Sequence, residues 1–174
     1  MPVSRVTANS IADGTVVESE ISDNAITAAK VSGLVNFDKV VSQAIVEKLR
    51  ENVTVTASAV GANLNFDVKT DSFKLFTSTQ DRNFCVNLRG DGSTTLNNSM
   101  KAGESLTVSL AITNGSTAYF LSNTQIDGAL FVPKVQGGSQ LTGGNANSTD
   151  VYLLTIIKTG SGTFTTLLSQ TQFA

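Results

Sequence analysis

From Asn52 to the C-terminus the sequence runs in twos. "SLTVSLAITN", Ser105 to Asn114, sets Leu106, Val108, Leu110 and Ile112 on one side and Thr107, Ser109, Ala111 and Thr113 on the other. Such alternation describes a strand with one buried face. "VTVTASAV", "LNFDVKT", "FKLFTS", "NFCVNLRG", "TAYFLS", "ALFVPKV", "VYLLTIIKTG" and "GTFTTLLSQTQF" are strand-like in the same way, and the breaks between them carry Gly, Asn and Asp. Eight or nine strands in about 120 residues predict a mainly β chain whose residues 53–174 form an antiparallel β-sandwich, most simply a jelly roll. "GDGS" at Gly90 to Ser93 and "TGSG" at Thr159 to Gly162 read as hairpin turns.

Residues 1–35 obey a different rule. "IADGTVVESE", "ISDNAITAAK" and "VSGLV" place Ile11, Ile21 and Val31 at equivalent positions, with Val16 and Ile26 midway and Val6 extending the row backwards. An interval of five fits neither helix nor strand. Asp13-Gly14 and Asp23-Asn24 supply turn chemistry, so the segment reads as short extended steps separated by bends. Burying an aliphatic side chain contributes roughly 1.5–3 kcal/mol, and ordering each residue's backbone costs about 1–2 kcal/mol. One aliphatic in five residues therefore cannot order the segment alone. It is either a tail or a strand ordered by other chains, and the regular row favours the second, as an anchoring and assembly element.

"VNFDKVVSQAIVEKLREN" follows. Asn36 is placed to cap a helix, with Val35 and Val40 in staple positions. Phe37, Val40, Val41, Ala44, Ile45 and Leu49 fall on one stripe. An amphipathic helix is expected over 36–52, its stripe covered either by the following domain or by copies of itself.

What remains limits the chemistry. The chain has no histidine and one cysteine, Cys85, so Ser-His-Asp, Cys-His and zinc sites cannot be built from it. Cys85 reads as a structural thiol. A net charge of -2 gives neither nucleic acid nor an anionic membrane surface an electrostatic reason to bind, and no run approaches the roughly twenty apolar residues of a membrane helix. No cofactor, metal site or catalytic residue is expected. Asp67, Asp71, Asp81 and Asp91 are the carboxylates a glycosidase would have to recruit, but they are spread over separate strands and turns. The Gly-rich "QGGSQLTGGNANSTD" lacks the Lys of a phosphate loop. Its Gln136, Asn145, Asn147 and Asp150 are candidate glycan contacts, and the same composition suits a surface loop without a ligand.

The C-terminal run "QIDG", "VPKVQGG" and "DVYLLTIIKTGSGTFTTLLSQTQFA" resembles a β-domain recurring at the C-terminal end of structural and fibre-like proteins of tailed phages, especially marine and cyanobacterial ones. "NFDV", "NLRGDGSTTLN" and "GESLTVSLAITNGSTAYF" fit the same domain, so the resemblance covers roughly residues 53–174. The N-terminal "DGTV" and "DNAIT" are similar to repeats of phage fibre shafts and attachment regions. The resemblance implies a non-enzymatic virion structural protein, assembled in the host cytoplasm as a homotrimer. It would be a short fibre or surface decoration protein, anchored by its N-terminus to other virion proteins of capsid or tail. The alternative it implies is a fibre-tip module that attaches to host-surface glycan. In either case the expected assembly residues are Val6, Ile11, Val16, Ile21, Ile26 and Val31 of the repeat, with the helical stripe from Phe37 to Leu49.

Overall fold

Nearly every alternating run folds as a strand. The computed structural model describes residues 51–174. The expected repeat over 1–35, the helix over 36–52 except its last two residues, and the assembly residues from Val6 to Leu49 lie outside them. The described elements are β1 (Val53–Thr56), β2 (Asn63–Asp67), β3 (Phe73–Thr79), β4 (Phe84–Arg89), a one-turn helix α1 (Leu96–Ser99), β5 (Ser105–Thr113), β6 (Leu121–Ile126), β7 (Ala129–Phe131), β8 (Lys134–Val135), β9 (Thr149–Gly160) and β10 (Thr163–Phe173). They form two sheets, a six-stranded one in the order β1-β3-β5-β9-β10-β8 and a four-stranded one in the order β2-β4-β6-β7. The fold is mainly β with two sheets, as the alternation predicts.

Strand pairing departs in part from the antiparallel expectation. β5 with β9, β9 with β10, and β6 with β7 are antiparallel. In contrast, β1 with β3, β3 with β5, β2 with β4, β4 with β6, and β8 with β10 are parallel. The first six strands alternate between the sheets, so the chain winds as a flattened coil and each strand returns beside the strand two before it. Parallel pairing needs a crossover of a dozen or more residues, usually a helix. Here a strand of the opposite sheet is the crossover. Two hairpins end the winding by reversing direction, β6–β7 through Asp127-Gly128 and β9–β10 through Ser161-Gly162. Asp127 and Gly128 both have positive φ, 51° and 83°, as a two-residue hairpin turn of this kind requires.

The hairpin turn expected at Thr159–Gly162 forms, and the one expected at "GDGS" does not. There β4 leads into α1 and no hairpin forms. The Asp91 side chain accepts from the amides of Ser93 and Thr94 at 2.8 and 2.7 Å, and a Cβ at Gly90 would collide with Ser99 and the carbonyls of Thr94 and Thr95. The expected strand "TAYFLS" also begins later, at Leu121. Its outward positions in "LSNTQI" are polar, which conceals the strand.

The core lies between the sheets. Phe66, Phe84, Val86 and Leu88 come from the smaller sheet and Val108, Leu110, Ile112, Tyr152, Leu154 and Ile156 from the larger, all essentially inaccessible to solvent. Each such side chain contributes roughly 1.5–3 kcal/mol. Phe84 and Tyr152 meet edge to face across the layers, with ring centroids 5.9 Å apart and planes at 87°.

Candidate functional site

The parallel register of the smaller sheet stacks like upon like on its outer face. Leu64 and Phe66 turn inward, so Asn63, Asn65 and Asp67 turn out. Asn65 lies beside Asn87 and Asn87 beside Gln125. One step along, Asn63 flanks Cys85, which flanks Asn123. One step the other way, Asp67 lies beside Arg89. Side-chain amides thus occupy the middle of the face, with a carboxylate–guanidinium pair at one end.

Part of this surface is fixed by its own bonds. Asn87 Nδ2 donates to Asn65 Oδ1 at 2.9 Å, and Asn87 Oδ1 accepts from Gly128 N at 2.9 Å. Arg89 Nε donates to Asp67 Oδ1 at 2.5 Å, and this bond raises the guanidinium's pKa further. Asn63, Asn123 and Gln125 make no side-chain hydrogen bond to another described residue, and Asn63 and Asn123 are exposed. An amide both donates and accepts, so these free amides match the hydroxyls of a sugar chain, and the fixed ones hold the platform level.

A cleft of about 320 Å³ opens beside the ion pair, lined by Asn87, Arg89, Asp91, the Gly92–Thr95 loop, Asp127 and Gly128. Asp91 is held well below the usual carboxylate range, chiefly by the Lys69 ammonium at 2.7 Å and then by the Ser93 amide and hydroxyl. It is therefore an acceptor and no proton donor near neutrality. Asp127 accepts from the amides of Leu96 and Asn97 at 2.6 and 3.1 Å.

The carboxylates singled out in the sequence are engaged separately. Asp67 pairs with Arg89, Asp71 with Lys74 at 2.8 Å, Asp81 with Arg82 at 2.9 Å and Asp91 with Lys69. Among the described residues, no group of three or more His, Cys, Asp or Glu side chains could hold a metal ion. Cys85 is buried, and that burial raises its thiol pKa, which makes it a weak nucleophile.

Of the candidate glycan contacts in the loop, Gln136 and Asn147 are exposed and Asn145 is half-buried. Asp150 is fully buried. It accepts from Asn145 N and Nδ2 at 2.9 and 2.6 Å, from Asn114 Nδ2 at 3.0 Å and from Gln170 Nε2 at 3.2 Å. Asp150 therefore shapes the loop from beneath and offers nothing to a surface ligand. The amide face could be read only from the register, although "NLNFD" and "SNTQI" do carry its alternating polar residues. Comparison of the chain with family models, with curated proteins and with solved structures finds no match in any of the three.

Proposed function

We propose that this chain is a non-enzymatic structural protein of a tailed-phage virion, a homotrimeric short fibre or surface decoration protein anchored to capsid or tail by its N-terminus. The observation that carries the reading is the resemblance-bearing C-terminal run. Its last stretch, Asp150 to Ala174, forms most of the β9–β10 hairpin, the longest pairing of the six-stranded sheet, so the motif that resembles phage fibre-like proteins is also part of the framework of the domain. Asp67, Asp71, Asp81 and Asp91 each pair with a different cation, an arrangement that suits a scaffold. Mass spectrometry of gradient-purified phage particles made from the genome that encodes the chain tests this. The chain should co-purify at a copy number comparable to other structural proteins. Its presence in the lysate and absence from particles would overturn the reading.

The amide face favours a second reading, a receptor-binding module for host-surface glycan. Binding of the full chain on a glycan array should then be lost with Asn123→Ala and Gln125→Ala and retained with Asn147→Ala. An array with no binding would leave the structural role alone.

A further inference from the structure

The outer face of the larger sheet is the chemical opposite of the amide face. The charged residues of β1, β3, β5, β9 and β10 are Lys74, Asp150 and Lys158, and all three lie on the inner side. Lys74 stands beside Leu110 in the register and spans to Asp71, with the Phe66 ring 5.6 Å away. Lys158 is 7% exposed and donates to the carbonyls of Asn97 and Met100. Asp150 is fully buried. Among the described residues, no charged side chain stands on the outer face of these five strands.

Neutral residues take the outward positions. One row across the sheet reads Val53, Phe73, Ser109, Leu153 and Ser169, and the next reads Val55, Leu75, Ala111, Val151 and Thr171. Val53, Val55, Leu153 and Leu167 are 42%, 61%, 42% and 43% exposed. A sheet face left in water is ordinarily polar and strewn with charge, whereas charge depletion marks the centre of an interface.

We propose that this outer face is where copies of the chain meet, each presenting the same surface to its neighbours. Three observations single out a second copy as the occupant. Strands about 4.8 Å apart rising about 3.3 Å per residue give five strands of this length a footprint on the order of 700 Å², close to the ~800 Å² per partner of a standard interface. The one charged side chain of the face among the described residues is the exposed Lys134 of β8, beside Leu167 at one edge, so across its five main strands the face offers a charged partner little steering. Its mixture of Val, Leu, Ser and Thr is complementary to itself, and a net charge of -2 sets little repulsion between copies. The inference rests on the self-association within the function proposed above and gives it a location.

The test is the solution mass of the full chain by light scattering, beside Leu153→Lys, Ser169→Lys, the control Ser139→Lys on an exposed loop, and Ile21→Asp in the N-terminal row. Circular dichroism verifies that each variant keeps its strands. The parent and the control are expected at a multiple of 18.2 kDa, and the two face variants at a lower multiple or a single chain. Unchanged mass in both folded face variants would overturn the inference. If Ile21→Asp alone then lowers the mass, self-association survives and belongs to the N-terminal row. A monomeric parent chain would also overturn the inference, and presence of the chain in purified particles would still decide the virion reading separately.

Discussion

The side-chain amide of Gln80 pairs with both backbone groups of Val60. Gln80 Oε1 accepts from Val60 N at 2.9 Å, and Nε2 donates to Val60 O at 2.9 Å. Gln80 is 2% exposed and Val60 1%. A side chain here does what a neighbouring strand would do, satisfying the backbone polar groups of Val60, the one buried residue of the otherwise largely exposed segment that crosses from β1 to β2. Nε2 also donates to Arg82 O at 2.9 Å, so the same amide ties down the crossing from β3 to β4.

Replacing Gln80→Ala strands these backbone groups at about 1–3 kcal/mol for a buried unpaired group. The expected loss in denaturant unfolding is about 2–4 kcal/mol. Gln80→Glu should be comparably destabilised at neutral pH, because a carboxylate faces two carbonyls, and should recover partly in acid, where a protonated carboxyl again donates. Equal stability of Gln80→Ala and the parent chain would refute this role.

The short helix α1 is held by remote side chains at both ends. Asp127 takes two amides of its first turn, and Thr95 caps it locally, accepting from Asn98 N. Lys158 takes the carbonyls of Asn97 and Met100. Lys158→Met keeps the stem and drops the ammonium, and should cost about 2 kcal/mol. Asp127→Ala should cost more than Asp127→Asn, because Asn tolerates positive φ and keeps one acceptor. Hydrogen exchange at Asn98 and Ser99 should quicken in both the Lys158 and Asp127 variants.

A Cβ at Gly144 would press on the Tyr119 carbonyl and lie 3.0 Å from both Asn114 Nδ2 and Asp150 Oδ2. Gly144→Ala is therefore expected to cost about 1–3 kcal/mol and to raise proteolytic cleavage within the 136–148 loop. A thermal midpoint and cleavage rate matching the parent chain would show that the loop yields to the added methyl without strain.

Stability should fall on both sides of a plateau. At Asp71, burial pushes the pKa up, but bonds from Lys74, Thr54 and Thr70 together outweigh it and the net shift is down. Asp81 and Asp91 are lowered by bonds from Arg82 and Lys69. A depressed carboxylate stabilises above its unfolded pKa of about 3.9, and that support is lost as pH falls below it. Tyr152 shifts upward through burial first and the nearby Asp150 charge second, and Cys85 upward through burial. Raised groups stabilise below their unfolded values of about 10 and 8.5, and that support is lost as pH rises through the folded pKa. Thermal unfolding from pH 3 to 11 should show both limbs, with the alkaline one shallower in Tyr152→Phe.

Alternation made the strands legible wherever an apolar inner row faced a polar outer one, as in β5, or where a glycine turn joined two long runs, as in β9–β10. Neighbour identity was not legible. The segment between β1 and β2 has the length and composition of a hairpin loop, and only the buried Gln80–Val60 pairing makes it a crossing between layers. For the same reason Asp150 resembled a surface residue, since a carboxylate ringed by four neutral donors can be buried without a cation, and its donors are scattered from Asn114 to Gln170. The amide face required the register of three strands at once, and no single stretch of sequence contains that.

The coil of the first six strands has one more consequence. A strand that returns in parallel beside the strand two before it widens both sheets with each circuit, and β1 to β3 complete the shortest circuit, from Val53 to Phe73. Duplicating such a circuit in the gene would widen the domain by about one strand spacing, near 4.8 Å, without altering which residues turn inward. A jelly roll, whose strands interlock across the whole barrel, has no equivalent unit to copy. Evolution, or an engineer, could therefore set the width of this domain a circuit at a time.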